Sequence, residues 1–196
     1  MPLQLLWTRL NRVFKPYFDH FVVVFIDDIL VYSKSRVEHE LHLHIVLQTL
    51  KREKYYAKLT KCDFWLHIVD FLEHIISKDG VLVDPRKVEA VVKWSRPVNV
   101  AEIQSFFSLA GYYRRFVERF SRIAGPLTCL TQKIIKFIWT EDCEQSFQDL
   151  KDHLMLAPIL VLPSGLSGFV TYSDASIKGL GCMLIQNARV VAYASR

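Results

Sequence analysis

The sequence lacks the features of several protein classes. Its four cysteines are scattered and form no C-x-x-C pair: Cys62, Cys129, Cys143 and Cys182. We expect reduced intracellular thiols here, and neither a disulfide framework nor a zinc site. No apolar run approaches the roughly 20 residues that span a bilayer. The first residues lack the basic start and cleavage site of a signal peptide. These absences predict an intracellular protein, cytoplasmic or nuclear, without a membrane partner.

Glycine and proline are also scarce, with seven of each, and no low-complexity tract occurs. Hydrophobic residues make up 51% of the chain and charged residues 23%, which favours a folded core over disorder. The net charge of +5 and the pI of about 9.0 indicate a polyanionic partner.

The most informative motif is Asp27-Asp28, which lies inside the apolar run of residues 21–32. Residues 21–25 and 29–32 are rich in β-branched and aromatic side chains and predict two short strands. Two ionised carboxylates between such strands are costly unless a positive group meets them. A divalent cation is one such group, since carboxylate oxygens are its natural ligands. A purely structural hairpin tip stays open as the alternative, although turn chemistry alone favours Asn-Gly or Asp-Gly.

Helices and strands alternate along the rest of the chain. Apolar periodicity predicts helices over residues 8–18, 36–52, 84–95, 99–110, 112–120 and 140–154. We expect Asp84 and Asn99 to cap two of these helices, Thr140 or Asp142 to begin the last, and Gly111 to break the helical pattern. We expect His39, His42 and His44 on the solvated surface of the second of these helices. Patterning and turn residues predict strands over 63–66, 68–76, 81–83, 169–172, 181–185 and 189–193, the last two joined at Asn187-Ala188.

Positive charge concentrates in the helical middle of the chain. Residues 85–136 contain ten Lys or Arg and three Glu, a balance of +7. Within this segment Tyr112-Tyr113-Arg114-Arg115-Phe116 mixes aromatic rings with guanidinium groups, which suits a nucleic-acid backbone and its exposed bases. A solvated basic surface without a ligand is the alternative.

Nine short motifs, in their order along the chain, resemble the reverse transcriptase and ribonuclease H regions of the Pol polyproteins of gypsy-type long-terminal-repeat retrotransposons. They occupy residues 11–17, 25–33, 47–50, 61–65, 84–91, 109–116, 157–160, 172–176 and 179–182. The resemblance implies an α+β fold. Residues 1–83 would form the C-terminal part of a polymerase palm with an x-x-D-D β-hairpin. Residues 84–138 would form a thumb-like helical region, and residues 139–196 the connection and the first part of a ribonuclease H-like mixed sheet.

The resemblance also implies an activity, RNA-directed DNA polymerisation by two-metal nucleotidyl transfer, with Mg²⁺ as the cofactor. Asp27 and Asp28 match two catalytic, metal-binding carboxylates of the polymerase centre. Asp174 matches the first catalytic, metal-binding carboxylate of the ribonuclease H centre. Residues 71–76 match the segment that grips the primer end. The residues expected to bind an RNA/DNA template–primer duplex are Lys87, Arg114, Arg115 and Arg119.

Parts of both centres are missing from the 196 residues. In that family a third polymerase aspartate lies on an upstream strand, and further ribonuclease H acids lie downstream. We therefore expect the isolated chain to be inactive and to act with the rest of a Pol polyprotein. Glu73 also stands where the family usually has glycine, and this acid would need an unsuitable backbone and repel primer phosphates. The alternatives are a non-catalytic nucleic-acid-binding remnant and a translated relic without selected function.

Overall fold

The computed structural model describes residues 3–18, 20–133, 135–165, 167–176 and 179–196. They mix helices with small antiparallel sheets, which confirms the predicted α+β class. The chain divides into two compact units, Met1–Leu66 and His67–Arg196.

The first unit consists of two helices and a hairpin. Helix α1 (Leu3–Phe14) leads through a 3-10 turn into strands β1 (Val22–Phe25) and β2 (Asp28–Val31), and helix α2 (Arg36–Arg52) follows. The bounds of α2 agree with the sequence prediction, and the Ser35 hydroxyl caps it by accepting from the amide of Glu38 at 3.2 Å. The buried core residues are Leu10, Phe14, Phe21, Val22, Val46 and Leu50.

The prediction of solvated histidines on α2 is wrong for His39 and His42, which are both half-buried. The ring of His42 stacks on Phe21 with 3.9 Å between centroids, and its Nδ1 lies 2.7 Å from the hydroxyl of Ser33. His39 contacts the edge of Trp65. The helical pattern could not show this, because the contacting residues come from other parts of the chain.

The second unit begins with the antiparallel sheet β3 (Ile68–Phe71), β4 (His74–Ser77) and β5 (Gly80–Val83). The predicted strand over 63–66 is wrong, and the predicted strand over 68–76 is interrupted by a two-residue turn. Glycine is required at position 80, where φ is 137° and an added Cβ would lie 2.1 Å from the Leu160 carbonyl oxygen. That close approach brings Leu160 into backbone pairing with Val81.

Five helices follow: α3 (Pro85–Val92), α4 (Val100–Tyr112), α5 (Phe120–Ile123), α6 (Gly125–Leu130) and α7 (Glu141–Met155). The predicted caps Asp84, Asn99 and Thr140 are all confirmed, each accepting from a backbone amide in the first turn of its helix. The predicted break at Gly111 is wrong, since α4 continues to Tyr112. The predicted helix over 112–120 is also wrong, because this stretch contains a 3-10 turn at Arg114–Phe116.

The core of this unit lies where the helices meet. Phe106 of α4 and Phe147 of α7 are buried with 4.8 Å between ring centroids. Ile103, Leu127 and Leu150 are fully buried around them. Apolar side chains of the predicted helices thus make up most of this core.

Strands β6 (Phe169–Ser176), β7 (Gly179–Gln186) and β8 (Arg189–Ser195) form an antiparallel sheet in that order. The predicted turn at Asn187-Ala188 is confirmed, with φ of 51° and 61° at the two residues. The backbone of β8 also accepts a hydrogen bond at Val190 from Val161, at 2.8 Å.

Candidate functional site

The aspartate pair lies at the tip of the β1–β2 hairpin. Phe25 pairs with Asp28, so the connecting loop consists of Ile26 and Asp27 alone. At the other end of the hairpin, Phe21 and Val22 are buried in the first core. Both aspartates are exposed. The buried end of the hairpin and its short run of paired residues therefore present the two carboxylates to solvent.

The tip adopts an unfavourable backbone conformation. Ile26 has φ of 53°, and a β-branched residue in the left-handed region is a genuine outlier. Short hairpin loops need positive φ because their twist must match that of the strands. In this loop it is an isoleucine that adopts positive φ, and such local backbone strain is typical of functional sites.

The two carboxylates face no partner in the part of the chain that the structure describes. Among the described residues, neither Asp27 nor Asp28 forms an ion pair or a side-chain hydrogen bond. Their oxygens are the ligand type that Mg²⁺ prefers. However, the described part of the chain contains no group of three or more His, Cys, Asp or Glu side chains placed to hold a metal. The donor chemistry of the two exposed carboxylates fits a divalent cation.

Asp174 lies on β6 opposite Gly181 of β7. Its side chain is exposed, and its Oδ2 lies 3.7 Å from Nη2 of Arg119. The structure thus brings together a predicted metal ligand and a predicted nucleic-acid-binding residue. Arg119 itself has φ of 54° directly before α5.

The four predicted nucleic-acid-binding residues fall into two pairs. Lys87 and Arg119 already face acids, since Nζ of Lys87 lies 2.6 Å from Oε1 of Glu73 and Arg119 faces Asp174. Arg114 and Arg115 occupy the 3-10 turn after α4 and are exposed. Within the described ranges, neither of them pairs with a carboxylate.

The interpretation of Tyr112 to Phe116 as a mixed aromatic and basic surface is wrong for two of its rings. Tyr113 and Phe116 are each only 1% exposed and belong to the core. Tyr112 is 45% exposed. The alternation of buried rings with exposed arginines gives this segment a basic surface with one accessible ring.

The sequence did not reveal the role of the two tyrosine hydroxyls. The β3–β4 turn consists of Leu72 and Glu73, with φ of 52° and 57°. The Tyr112 hydroxyl donates to the Leu72 carbonyl and the Tyr113 hydroxyl donates to the Glu73 carbonyl, each at 2.7 Å. Burial raises the pKa of Tyr113, so its hydroxyl stays a donor. The only signal in the sequence was the acid at the usual glycine position.

Asp84 is the buried acid beside this turn. Its side chain caps α3, and its Oδ2 lies 3.1 Å from Nε of Arg86. That side-chain hydrogen bond, opposed in part by burial, lowers the pKa of Asp84. Arg86 also bonds to Asp70 of β3, so one guanidinium joins the strand to the start of the helix.

The fold and these groups define a class: an α+β chain with a carboxylate hairpin followed by basic helices. Residues 3–100 match the model of the family described as reverse transcriptase (RNA-dependent DNA polymerase). Residues 139–196 match that of the RNase H-like domain found in reverse transcriptase. The chain belongs to the reverse transcriptase family.

The similar curated proteins include retrotransposon polyproteins. The chain is 35% identical over 189 residues to the retrovirus-related Pol polyprotein from transposon 297 of Drosophila melanogaster, covering 95% of this chain and 18% of that protein. For the Pol polyprotein from transposon gypsy of the same organism, identity is 30%, with 95% and 19% covered. An uncharacterized mitochondrial protein of Arabidopsis thaliana is 42% identical over 132 residues, with 66% and 83% covered. The chain thus spans about a fifth of the two polyproteins.

Solved structures with the same fold include foamy viral protease-reverse transcriptases. One, in complex with double-stranded DNA, superposes with a TM-score of 0.85 at 24% identity, covering 98% of this chain and 34% of the other. Another, in complex with RNA/DNA hybrid, gives 0.83 at 24% identity, covering 96% and 26%. None of the described helices has the length and apolar character needed to cross a bilayer.

Proposed function

We propose that this chain supplies the C-terminal palm, the thumb and the start of the ribonuclease H-like domain to an RNA-directed DNA polymerase of a retrotransposon. The observation that carries the proposal is the exposed Asp27-Asp28 tip, which has no ion-pair partner among the described residues, in a chain of the reverse transcriptase family. In this proposal residues 1–83 belong to the palm, 84–138 to the thumb, and 139–196 to the connection and the ribonuclease H-like domain. The match of the RNase H-like family from residue 139 supports the last boundary.

Asp27 and Asp28 would hold Mg²⁺, together with a third carboxylate from outside these 196 residues. When bound, the ions supply activation of the primer 3′-hydroxyl and stabilisation of the leaving pyrophosphate. The chain's own contribution is to place two carboxylates at a solvent-facing hairpin tip. Asp174 would serve the ribonuclease H-like centre, where Arg119 now lies beside it.

Arg114 and Arg115 would hold the template–primer duplex. Their exposure and lack of a carboxylate partner among the described residues favour a phosphate ligand, since release of counterions from the backbone drives such binding. The foamy viral relatives of this fold were solved with double-stranded DNA and with RNA/DNA hybrid, which supports the choice of ligand.

The proposal is tested by exchanging this chain for the matching segment of the transposon 297 Pol polyprotein, to which it is 35% identical. We expect the chimera to extend a primer on an RNA template, and its Asp27→Asn form to lose extension. The 196-residue chain alone should incorporate nothing with Mg²⁺ or Mn²⁺. An inactive chimera that melts cooperatively would contradict the proposal.

Binding of Mn²⁺ tests the proposed ion site independently of catalytic turnover. Paramagnetic broadening of amide signals should centre on residues 26–29 of the isolated chain and disappear with Asp28→Asn. The matched control is Asp63→Asn, which removes an exposed acid elsewhere in the first unit. Equal broadening at Asp63, or broadening that survives in Asp28→Asn, would contradict a role for the tip in metal binding.

A second candidate is nucleic-acid binding without catalysis. It is favoured by the exposed guanidinium groups of Arg114 and Arg115, which pair with no carboxylate in the described part of the chain, whether or not a third polymerase carboxylate is supplied. The two candidates differ in one result. Only the polymerase proposal predicts primer extension by the chimera, whereas both predict salt-sensitive binding to an RNA–DNA hybrid.

A further inference from the structure

The β3–β4 turn has a backbone conformation that its residues disfavour. Leu72 and Glu73 both adopt the left-handed region, and two-residue hairpin loops of this kind favour Asn and Gly. For other L-residues the left-handed conformation is unfavourable, because Cβ comes too close to the following carbonyl oxygen. Contacts from outside the hairpin must therefore stabilise the turn.

Those contacts come from the end of α4. Consecutive hydroxyls, those of Tyr112 and Tyr113, donate to consecutive carbonyls of the turn across 40 positions of sequence, each at 2.7 Å. The His74 ring lies 5.3 Å from the Tyr112 ring and 5.4 Å from the Tyr113 ring. Its Nδ1 lies 2.6 Å from the Leu72 carbonyl oxygen. Because a carbonyl only accepts, Nδ1 carries the hydrogen.

We propose that Tyr112 and Tyr113 are positioning residues that hold the Leu72–Glu73 turn in its left-handed form and so place the primer end. We name these two hydroxyl contacts the tyrosine latch. The proposal rests on the proposed function, in which residues 71–76 grip the primer. The latch joins that segment directly to Arg114 and Arg115, the next two residues of the chain, so one short connection would link duplex contact to primer position.

The two contacts are unequal. The Leu72 carbonyl has a second donor in His74, and Tyr112 is partly exposed, so water can replace its hydroxyl. The Glu73 carbonyl receives no other hydrogen bond among the described residues, and Tyr113 is buried. An acceptor that loses its one described donor, beside a buried ring that water cannot reach, loses more than an acceptor that keeps a second donor. Tyr113→Phe should therefore disturb the turn more than Tyr112→Phe.

Hydrogen exchange measures the latch without nucleic acid. In Tyr113→Phe we expect the amides of residues 71–75 to exchange about fivefold faster, the factor for a hydrogen bond of typical net strength. Tyr112→Phe should give a smaller increase. Tyr56→Phe is the matched control, because that side chain is 94% exposed, and it should change nothing. Equal rates in all four chains would overturn the latch.

Fluorescence measures the effect on the primer. A 2-aminopurine placed at the primer 3′ end should lose its protein-induced fluorescence change in Tyr113→Phe, while one placed several nucleotides upstream should keep it. A general loss of structure would move both signals together or abolish the cooperative melt, and either result would overturn a positioning role. If no hybrid binds to the unaltered chain, the proposed function fails while hydrogen exchange still decides the latch. If hybrid binds and Tyr113→Phe leaves both probes unchanged, the latch fails alone.

Discussion

Replacing Arg114 and Arg115 with alanine should make binding of an RNA–DNA hybrid less sensitive to salt. Both side chains are exposed at the turn after α4 and face no carboxylate among the described residues. Each phosphate contact contributes about 0.7–0.9 to the slope of log K against log salt concentration. Losing two contacts should lower the magnitude of that slope by about 1.4–1.8.

The expected difference is large enough to measure by fluorescence anisotropy of a labelled hybrid. Between about 50 and 200 mM salt, a fourfold change, the unaltered chain should lose about 7- to 12-fold more affinity than the double variant. The turn residues pack through Phe116, which the substitutions leave in place. The melting temperature should therefore stay nearly constant, and it serves as the folding check.

Two further variants sharpen the result. Lys51→Ala with Arg52→Ala removes another adjacent, exposed basic pair, at the end of α2, and should leave the slope unchanged. Lys87→Ala should lower the slope by less than one full contact, because a phosphate must displace Glu73 from Lys87. An unchanged slope in the Arg114/Arg115 double variant, or an equal fall in the Lys51/Arg52 control, would refute the reasoning.

Two other predictions concern stability. In denaturant titration, Glu73→Gly should be more stable than Glu73→Gln by about 0.5–1 kcal/mol. Both variants lose the Lys87 ion pair, but only glycine adopts the φ of 57° without strain, a gain that its greater unfolded-state entropy partly offsets. Equal stability of the two variants would contradict strain at this turn. Asp84→Asn keeps a helix cap and loses the charge that faces Arg86, which should cost about 1 kcal/mol at pH 7. Folding lowers the pKa of Asp84, so the stabilisation is fully present above the carboxyl's unfolded pKa and is lost as pH falls through the lower folded pKa. The stability difference between wild type and Asp84→Asn should therefore begin to shrink as pH falls below about 4. A difference that stays constant on further acidification would contradict the assignment.

The features that could be predicted from sequence are those fixed within a few residues. The caps at Asp84, Asn99 and Thr140 each bond to an amide two or three residues away, so their chemistry is visible in the sequence. The hairpin that carries Asp27 and Asp28 has the same local character. Its two strands adjoin, and their pairing follows from one two-residue loop.

The features that escaped prediction depend on distant parts of the chain. The periodicity of α2 gave no sign that Phe21 covers His42. The tyrosine latch joins positions 40 residues apart, and the aromatic-basic pattern around it indicated exposed rings where Tyr113 and Phe116 are buried. Residue types can suggest a ligand, but the side of a segment that faces the core is decided by packing.

The charge balance of residues 85–136 overstates the positive surface available to a nucleic acid. Among the described residues, five of its ten basic side chains face a carboxylate: Arg86, Lys87, Lys93, Arg96 and Arg119. Exposed ion pairs contribute only about 0–1 kcal/mol to stability, so a phosphate could displace the acids. Each exchange nevertheless leaves an unpaired carboxylate close to the negatively charged duplex. Arg114 and Arg115, which face no carboxylate within the described ranges, carry no such cost. They are also joined through Tyr112 and Tyr113 to the turn at Glu73. Residues 112–115, and not the whole basic region, are therefore the place where duplex binding and primer position would be coupled.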